Sequence, residues 1–399
     1  MLFALALLAL AQPEPVTLIR AGRVVPVSGP PIVRGAVLVR GAKIERVGPE
    51  AEVGVPPGAA VVDLPEAWAL PGFVDLHSHI GGGDINDMVL PLNPELRVLE
   101  CVQPENENLK DARAGGVTTI LFIPGSGTNL SGFGALLKTA GATVEEMLVR
   151  FPGALKIAQA GNPERGGGDI GSGRIGMNWM IRQLLDEGRR YTEAWDAWEA
   201  GRSREKPAVN LRLENFRGLF HREFPVAVHS QIFQVVQSTL RILAGEYRLW
   251  TILNHSEFDG FLNAPEAVAL GVWVVSGPRG FHFDRRSGRF IGLAAEWHQR
   301  GIEAPGINTD APVVPEEELT YQAAMAVRFG LPEEQALRGI TIHPARAVGI
   351  DKRVGTLEAG KDADVVLWTG WPLDPRSRVL RTMVNGRWVY DPSRERRRF

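Results

Sequence analysis

The sequence predicts an α/β protein: a (β/α)8 barrel of the TIM type joined to a small β-sandwich domain built from both chain ends. Three observations predict it. Between about residues 66 and 349, eight short apolar runs alternate with helix-like stretches, the pattern of strands covered on both faces by helices. Residues 16–65 and 350–391 instead carry short, alternating, turn-punctuated segments of strand character. The length, 399 residues with 44% apolar content, suffices for one large core and an appendage.

Taken in order, residues 1–15, "MLFALALLALAQPEP", open on an apolar run too short to span a bilayer. "ALA" ahead of Gln12 has the small-x-small form of a cleavage site, so residues 1–11 are predicted to be a signal peptide, although no Lys or Arg precedes the run. Export to the periplasm or the exterior follows, with a cytoplasmic protein as the alternative and no stable membrane insertion expected. The β domain draws "VTLIRAGRVVPV", "GAVLVRGAKIERVG" and "AAVVDL" from one end. From the other it takes "DADVVLW" and "TMVNGRWVYD", where Asn385-Gly386 marks a tight hairpin.

The eight barrel runs are "FVDLH", "VTTILFIPG", "GALLK", "ALKIAQ", "VAVHS", "TILNH", "VWVVSGP" and "GINTD". Helices are predicted over 108–116, 176–188, 234–245, 264–271 and 292–301, each closing on a glycine where a helix end favours positive φ. Residues 206–223 have a poor pattern and read as an insertion before the fifth strand. The closing "SRERRRF" reads as a solvated tail.

A formal net charge of -2 provides no basic field for a nucleic-acid backbone, so a small molecule or a dipeptide-like substrate is the expected partner. A homo-oligomer is compatible with this composition. The one cysteine, Cys101, excludes an internal disulfide and any zinc ribbon. A metal would have to be held by imidazole, carboxylate or a modified side chain.

In a (β/α)8 barrel the chemistry sits at the carboxyl ends of the strands. The polar residues closing the runs are His77 and His79 on the first, Lys156 on the fourth, His229 on the fifth, His255 on the sixth and Asp310 on the eighth. His77 and His79 are two apart, so on an extended strand they face one side and can share an ion. Zinc accepts imidazole and carboxylate readily, and a catalytic site keeps one position for water. Lys156 is one of only seven lysines, set inside the apolar "ALKIA". Burial favours its neutral amine, which can take up carbon dioxide to give an anionic carbamate able to bridge two cations.

This ordered set resembles the amidohydrolase superfamily, and "ALPGFVDLHSH", "GVTTILFIPGS", "NHSE", "NTDAP" and "GTLEAGKDADVVLW" are similar to its imidazolonepropionase-like and prolidase-like branch. The likeness covers nearly all of the chain after the leader. It implies His77 and His79 on a more buried metal, His229 and His255 on an outer one, Lys156 as a carbamate bridge and Asp310 on the inner ion. A divalent metal, zinc by preference, is implied, with two ions if Lys156 is carbamylated and one otherwise. Two departures stand out: Gly161 occupies the place of a Glu that relatives often carry after the lysine, and His343-Pro344 replaces the usual Asn-Pro.

The implied reaction is hydrolysis of a carbon–nitrogen bond in an amide, a cyclic amide or a dipeptide. A metal lowers the pKa of its water to about 7 and supplies hydroxide at neutral pH. Asp310 then takes the water's proton and delivers it to the leaving amine as general acid and base. Two alternatives compete: a deaminase acting on a ring C=N carbon, which needs one metal and no bridging lysine, and a non-catalytic scaffold, which would have lost its ligands.

Weaker features complete the reading. Arg279 and His282, after the seventh strand, are candidate substrate contacts, Arg279 as a bidentate partner for a carboxylate. Residues 171–176 match G-x-G-x-x-G without the strand context that dinucleotide binding requires, and read as a βα loop near the substrate. The glycine-rich residues 125–134 read as a loop or turn near the barrel mouth. His221 and His298 read as insertion and helix-surface residues.

Overall fold

A computed structural model describes residues 14–164, 173–394 and 398. The signal-peptide segment, residues 1–11, lies outside them, as do Gly171 and Ser172 of the glycine motif.

The strands, in chain order, are β1 (Val16–Val24), β2 (Ile32–Arg40), β3 (Lys43–Pro49), β4 (Ala60–Pro71), β5 (Phe73–Ser78), β6 (Val117–Phe122), β7 (Leu130–Lys138), β8 (Leu148–Ala158) and β9 (Val226–Ser230). They continue with β10 (Thr251–His255), β11 (Trp273–Ser276), β12 (Phe281–Asp284), β13 (Arg289–Gly292), β14 (Gly306–Ile307), β15 (Val365–Trp368), β16 (Val379–Val384) and β17 (Arg387–Tyr390).

Both chain ends contribute to one seven-stranded sheet, ordered β17-β16-β15-β4-β1-β2-β3. The described strands form this single continuous sheet and not the pair of facing sheets that defines a sandwich. Along β2, Val37 and Val39 pack on one face with Ile19, Ala69 and Val365, while Ala36 and Leu38 pack on the other with Leu18 and Val53. That is the two-residue alternation of a strand buried on both sides. Asn385 and Gly386, at φ 47° and 75°, form the two-residue turn between Val384 and Arg387, as the dipeptide predicts.

All eight apolar runs become strands of a second sheet, ordered β14-β11-β10-β9-β8-β7-β6-β5. It is nearly closed: a parallel bridge joins Ser78 to Ala311, and the His79 N–H donates to the Ala311 carbonyl at 2.8 Å. One strand departs from the expected parallel arrangement. β7 pairs antiparallel with both β6 and β8, whereas β5–β6 and β8–β9 are parallel. The cause is connection length, since only residues 123–129 link β6 to β7 and a parallel crossover needs about a dozen residues or more.

The reversal sends Lys138, the closing residue of "GALLK", to the end of the barrel opposite the other strand termini, where it pairs in register with Thr119. There its buried ammonium meets Asp362 at 3.0 Å and also Asp364. Lys43 and Arg353 reach the same Asp362 carboxylate at 2.7 and 2.9 Å. This cluster ties the barrel floor to the segment leading into β15.

The expected helices are present as Glu107–Ala114, Arg174–Glu199, Phe233–Thr239, Ala264–Ala269 and Leu293–Gln299. Gly116, Gly271 and Gly301 follow three of them at positive φ. The insertion before β9 holds a short helix, Glu214–Phe220. Among the described residues, no helix is long and apolar enough to cross a membrane.

Candidate metal centre

Strand parity and sharp turns at strand ends bring the site together. On β8, β9 and β10, Ala154, Ala227 and Ile252 point to the barrel interior, whereas Leu155, Val226, Val228 and Leu253 pack outward against helices. Lys156 and His229 share the inward parity. His255 closes β10 at φ 64° and is followed by Ser256 at φ 46°, a left-handed pair that carries the chain sharply out of the strand. Asp310, three residues past β14, also sits at positive φ, 53°. Such conformations cost about 1–3 kcal/mol each and collect at functional sites.

All six residues singled out at strand ends converge. His77 Nε2 lies 3.0 Å from Lys156 Nζ and 3.3 Å from Asp310 Oδ1, and His79 Nε2 is 3.2 Å from the same oxygen. The His77 ring lies 4.2 Å from that of His255 and 6.4 Å from that of His229, and the last two are 4.5 Å apart. Two triads have ligand atoms within 4.8 Å of one another: His77, His229 and His255, and His77, His79 and Asp310. His77 belongs to both, so the geometry links the two groups through one imidazole.

The protonation pattern suits a cation. The Nδ1–H of His79 donates to the Ile123 carbonyl at 2.9 Å and that of His255 to the Gly277 carbonyl at 2.5 Å. Each bond fixes the tautomer with its Nε2 lone pair free. Burial, then neighbouring Lys156 and His255, holds His77 well below its usual pKa; burial, then His255 and Lys156, does so for His229. Burial lowers His255 to about 4 and Lys156 to about 7. Burial pushes Asp310 up, but the imidazoles of His77, His79 and His255 outweigh it and hold the carboxyl well below the usual range. Both ring nitrogens of His229 and Nε2 of His255 are buried without a hydrogen-bond partner. Neutral imidazoles turned toward one another and a carboxylate are reconciled by a positive charge between them, so these residues fit a divalent cation.

Gly161 stands at φ 65°, a conformation that disfavours the Glu of relatives, and a β-carbon there would approach Gln231 Oε1 at 3.3 Å. His343 lies buried in the helix Ile342–Ala347, where Arg338 donates to its Nε2 at 3.2 Å.

Arg279 and His282 lie at the barrel mouth rather than in the imidazole cluster. Arg279 meets the buried Glu257 through Nε at 3.4 Å and lies 5.2 Å over the Phe258 ring, against whose edge His282 also packs at 5.7 Å. His282 lines a cavity of about 580 Å³ with Phe258, Phe261, Asp259 and residues of the β12–β13 hairpin. Gly173 directly precedes the helix Arg174–Glu199. The Gly125 N–H donates to the Ile85 carbonyl and the Gly127 N–H to Asn86 Oδ1, both at 3.1 Å.

Sequence reasoning passed over the carboxyls behind the site. Asp75, fully buried, accepts the His77 N–H through Oδ1 and the Thr309 N–H and hydroxyl through Oδ2, all at 2.8 Å. Burial raises it to about 7 against those donors. Glu316, also buried, accepts from Ser78 Oγ at 2.7 Å and is pushed well above its usual value by burial and then by Asp75. The available signal was an Asp inside the apolar run "FVDLH".

An imidazole and carboxylate cluster at the carboxyl ends of barrel strands is a constellation able to hold a divalent metal. The Amidohydrolase family model matches residues 292–389. The chain is similar to the crystal structure of an amidohydrolase from Thermotoga maritima, with 30% identity, a TM-score of 0.84, and coverage of 94% of this chain and 100% of that one. An imidazolonepropionase of Pseudomonas paraeruginosa is 28% identical over 366 residues, 84% of this chain and 88% of the relative. Amidohydrolase tasK of Hapsidospora irregularis is 24% identical over 386 residues, 88% of this chain, which spans only 39% of that relative. The chain belongs to the amidohydrolase family, in its imidazolonepropionase-like branch. It is a hydrolase acting on carbon–nitrogen bonds.

Proposed function

We propose that the protein hydrolyses the carbon–nitrogen bond of a small amide, a cyclic amide by preference and a dipeptide otherwise. Similarity to imidazolonepropionases supports the cyclic class. The observation that carries the reading is the convergence of His77, His79, His229, His255, Lys156 and Asp310. The four imidazoles and Asp310 would hold zinc or a similar divalent ion, and a carbamate on Lys156 would join two such ions.

When bound, the cation supplies Lewis acidity, which makes water nucleophilic at neutral pH and polarises the scissile carbonyl. The chain's own residues do the rest. Asp310 meets both His77 and His79 through Oδ1, which leaves Oδ2 to take the proton of water and return it to the departing amine. The carbonyls of Ile123 and Gly277 hold the His79 and His255 rings in place throughout. With no carboxylate at Gly161, a carbamate on Lys156 would be the side chain that supplies the further anion.

Metal analysis of purified protein, with hydrolysis of a panel of cyclic and linear amides before and after chelation, tests the reading. Two ions per chain and chelator-sensitive amide hydrolysis support it. One ion and release of ammonia from ring substrates would favour the deaminase. A folded chain that takes up no metal would favour the scaffold.

A further inference from the structure

The seam between β14 and β5 lacks the strand ladder found elsewhere around the barrel, and it is where Asp310 faces His77 and His79. One parallel bridge, Ser78 to Ala311, and a set of side-chain bonds span it instead. The two oxygens of the fully buried Asp75 divide their work: Oδ1 accepts from the His77 N–H on its own strand, and Oδ2 accepts from the N–H and hydroxyl of Thr309 across the seam. The Thr309 oxygen in turn accepts the Ala311 N–H at 3.2 Å, so it reaches around Asp310 from one neighbour to the other. On the far flank, the Ala311 carbonyl accepts the His79 N–H at 2.8 Å.

Asp310 is therefore tethered on both sides to the strand that carries the two histidines. The φ of 53° at Asp310 lies in the sparsely populated left-handed region, which needs fixing if the carboxylate is to keep one orientation. These bonds fix it.

We propose that Asp75 and Thr309 form a positioning clamp that holds Asp310 in its left-handed conformation and sets its spacing from the imidazoles of His77 and His79. The inference rests on the reading of those three residues as metal ligands. Neither clamp residue meets the reacting atoms; both act through Asp310 and the His77 backbone. Asn at 75 presents one oxygen and one amide nitrogen, so it must leave either the His77 N–H or the Thr309 pair without an acceptor. Val at 309 removes only the hydroxyl and keeps the backbone bond to Asp75.

The test compares wild type with Asp75→Asn, Thr309→Val and Thr309→Ser. Zinc affinity is measured by chelator competition, and the visible spectrum of the cobalt-loaded protein reports ligand geometry. Asp75→Asn and Thr309→Val are expected to lose about 10- to 100-fold in zinc affinity and to shift the cobalt bands. Thr309→Ser, which keeps the hydroxyl, is expected to restore both. Thr309→Val is nearly isosteric and carries the test if Asp75→Asn does not fold. Variants with wild-type affinity and spectrum, whatever their melting temperature, overturn the clamp alone. A wild-type chain that binds neither zinc nor cobalt overturns the metal-centre reading and the clamp with it.

Discussion

Lys156 Nζ lies 3.0 Å from His77 Nε2 at full burial, with its pKa lowered to about 7 by that burial. An ammonium there would be a buried cation beside imidazoles that are themselves needed for cations, an arrangement that desolvation opposes. Addition of carbon dioxide to the neutral amine, with loss of a proton, would turn the same side chain into a carbamate anion suited to a divalent cation. The native mass of the metal-loaded protein should exceed the chain-plus-metal mass by one carbon dioxide. Lys156→Met should abolish that increment and reduce the metal content from two ions toward one.

Removal of metal should also be read in stability. A cation that binds only the folded chain stabilises it by about 2.7 kcal/mol at one hundred times its dissociation constant. Dialysis against chelator should therefore lower the melting temperature and abolish amide hydrolysis, and zinc or manganese should restore both. An unchanged melting temperature on chelation, with activity intact, would contradict a metal held by His77, His229 and His255.

How far the sequence revealed this site follows from what strand periodicity encodes. His77, Lys156, His229 and His255 were legible because each sits within or closes an apolar run; parity fixes the face for Lys156 and His229, whereas His77 follows an irregularity in β5 and His255 turns inward through its positive φ. The direction of β7 was not read, although it follows from distance: the runs ending at 125 and beginning at 134 leave no room for a crossover helix. Asp75 was hidden for a different reason. A carboxylate in an apolar run is recognisable, but its partner Thr309 lies 234 positions away, and only the closure of the barrel brings them together. The two chain ends were each readable as strands, while their union into one sheet depends on the ladder between β15 and β4.

The ion cluster on the barrel floor predicts acid sensitivity. Burial raises the Asp362 pKa, but Lys138, Lys43 and Arg353 outweigh it and lower the group from 3.8 to about 2. A depressed carboxylate pKa contributes stability that is complete above the unfolded value and is lost as pH falls through the folded one. The contribution is about 2 kcal/mol, present above about pH 4 and lost toward pH 2. Asp362→Asn should be destabilised by about 3 kcal/mol at pH 7, since it strands a buried Lys138 with one partner fewer. The gap from wild type should narrow between pH 4 and pH 2. Chemical denaturation at several pH values measures both effects, and a gap independent of pH would exclude Asp362 as the titrating group.

Arg279 gives a prediction about substrate preference. Its guanidinium is half exposed and meets Glu257 through Nε alone, so the terminal nitrogens are free to form the two parallel bonds that a carboxylate accepts. Arg279→Lys keeps the charge and loses that fork. It should raise KM about tenfold for amides bearing a carboxylate, the loss expected when one charge-assisted bond worth about 1.5 kcal/mol is removed. KM for uncharged amides, kcat and metal content should stay near wild type, because Arg279 makes no contact with His77, His79, His229, His255 or Asp310 among the described residues. Glu257→Gln is the control: it removes the carboxylate charge that faces Nε while leaving the fork intact, and should spare the carboxylated substrates. Steady-state kinetics on paired substrates differing only in that carboxylate decides the matter, and equal KM changes for the two members of each pair would assign Arg279 to the support of Glu257 alone.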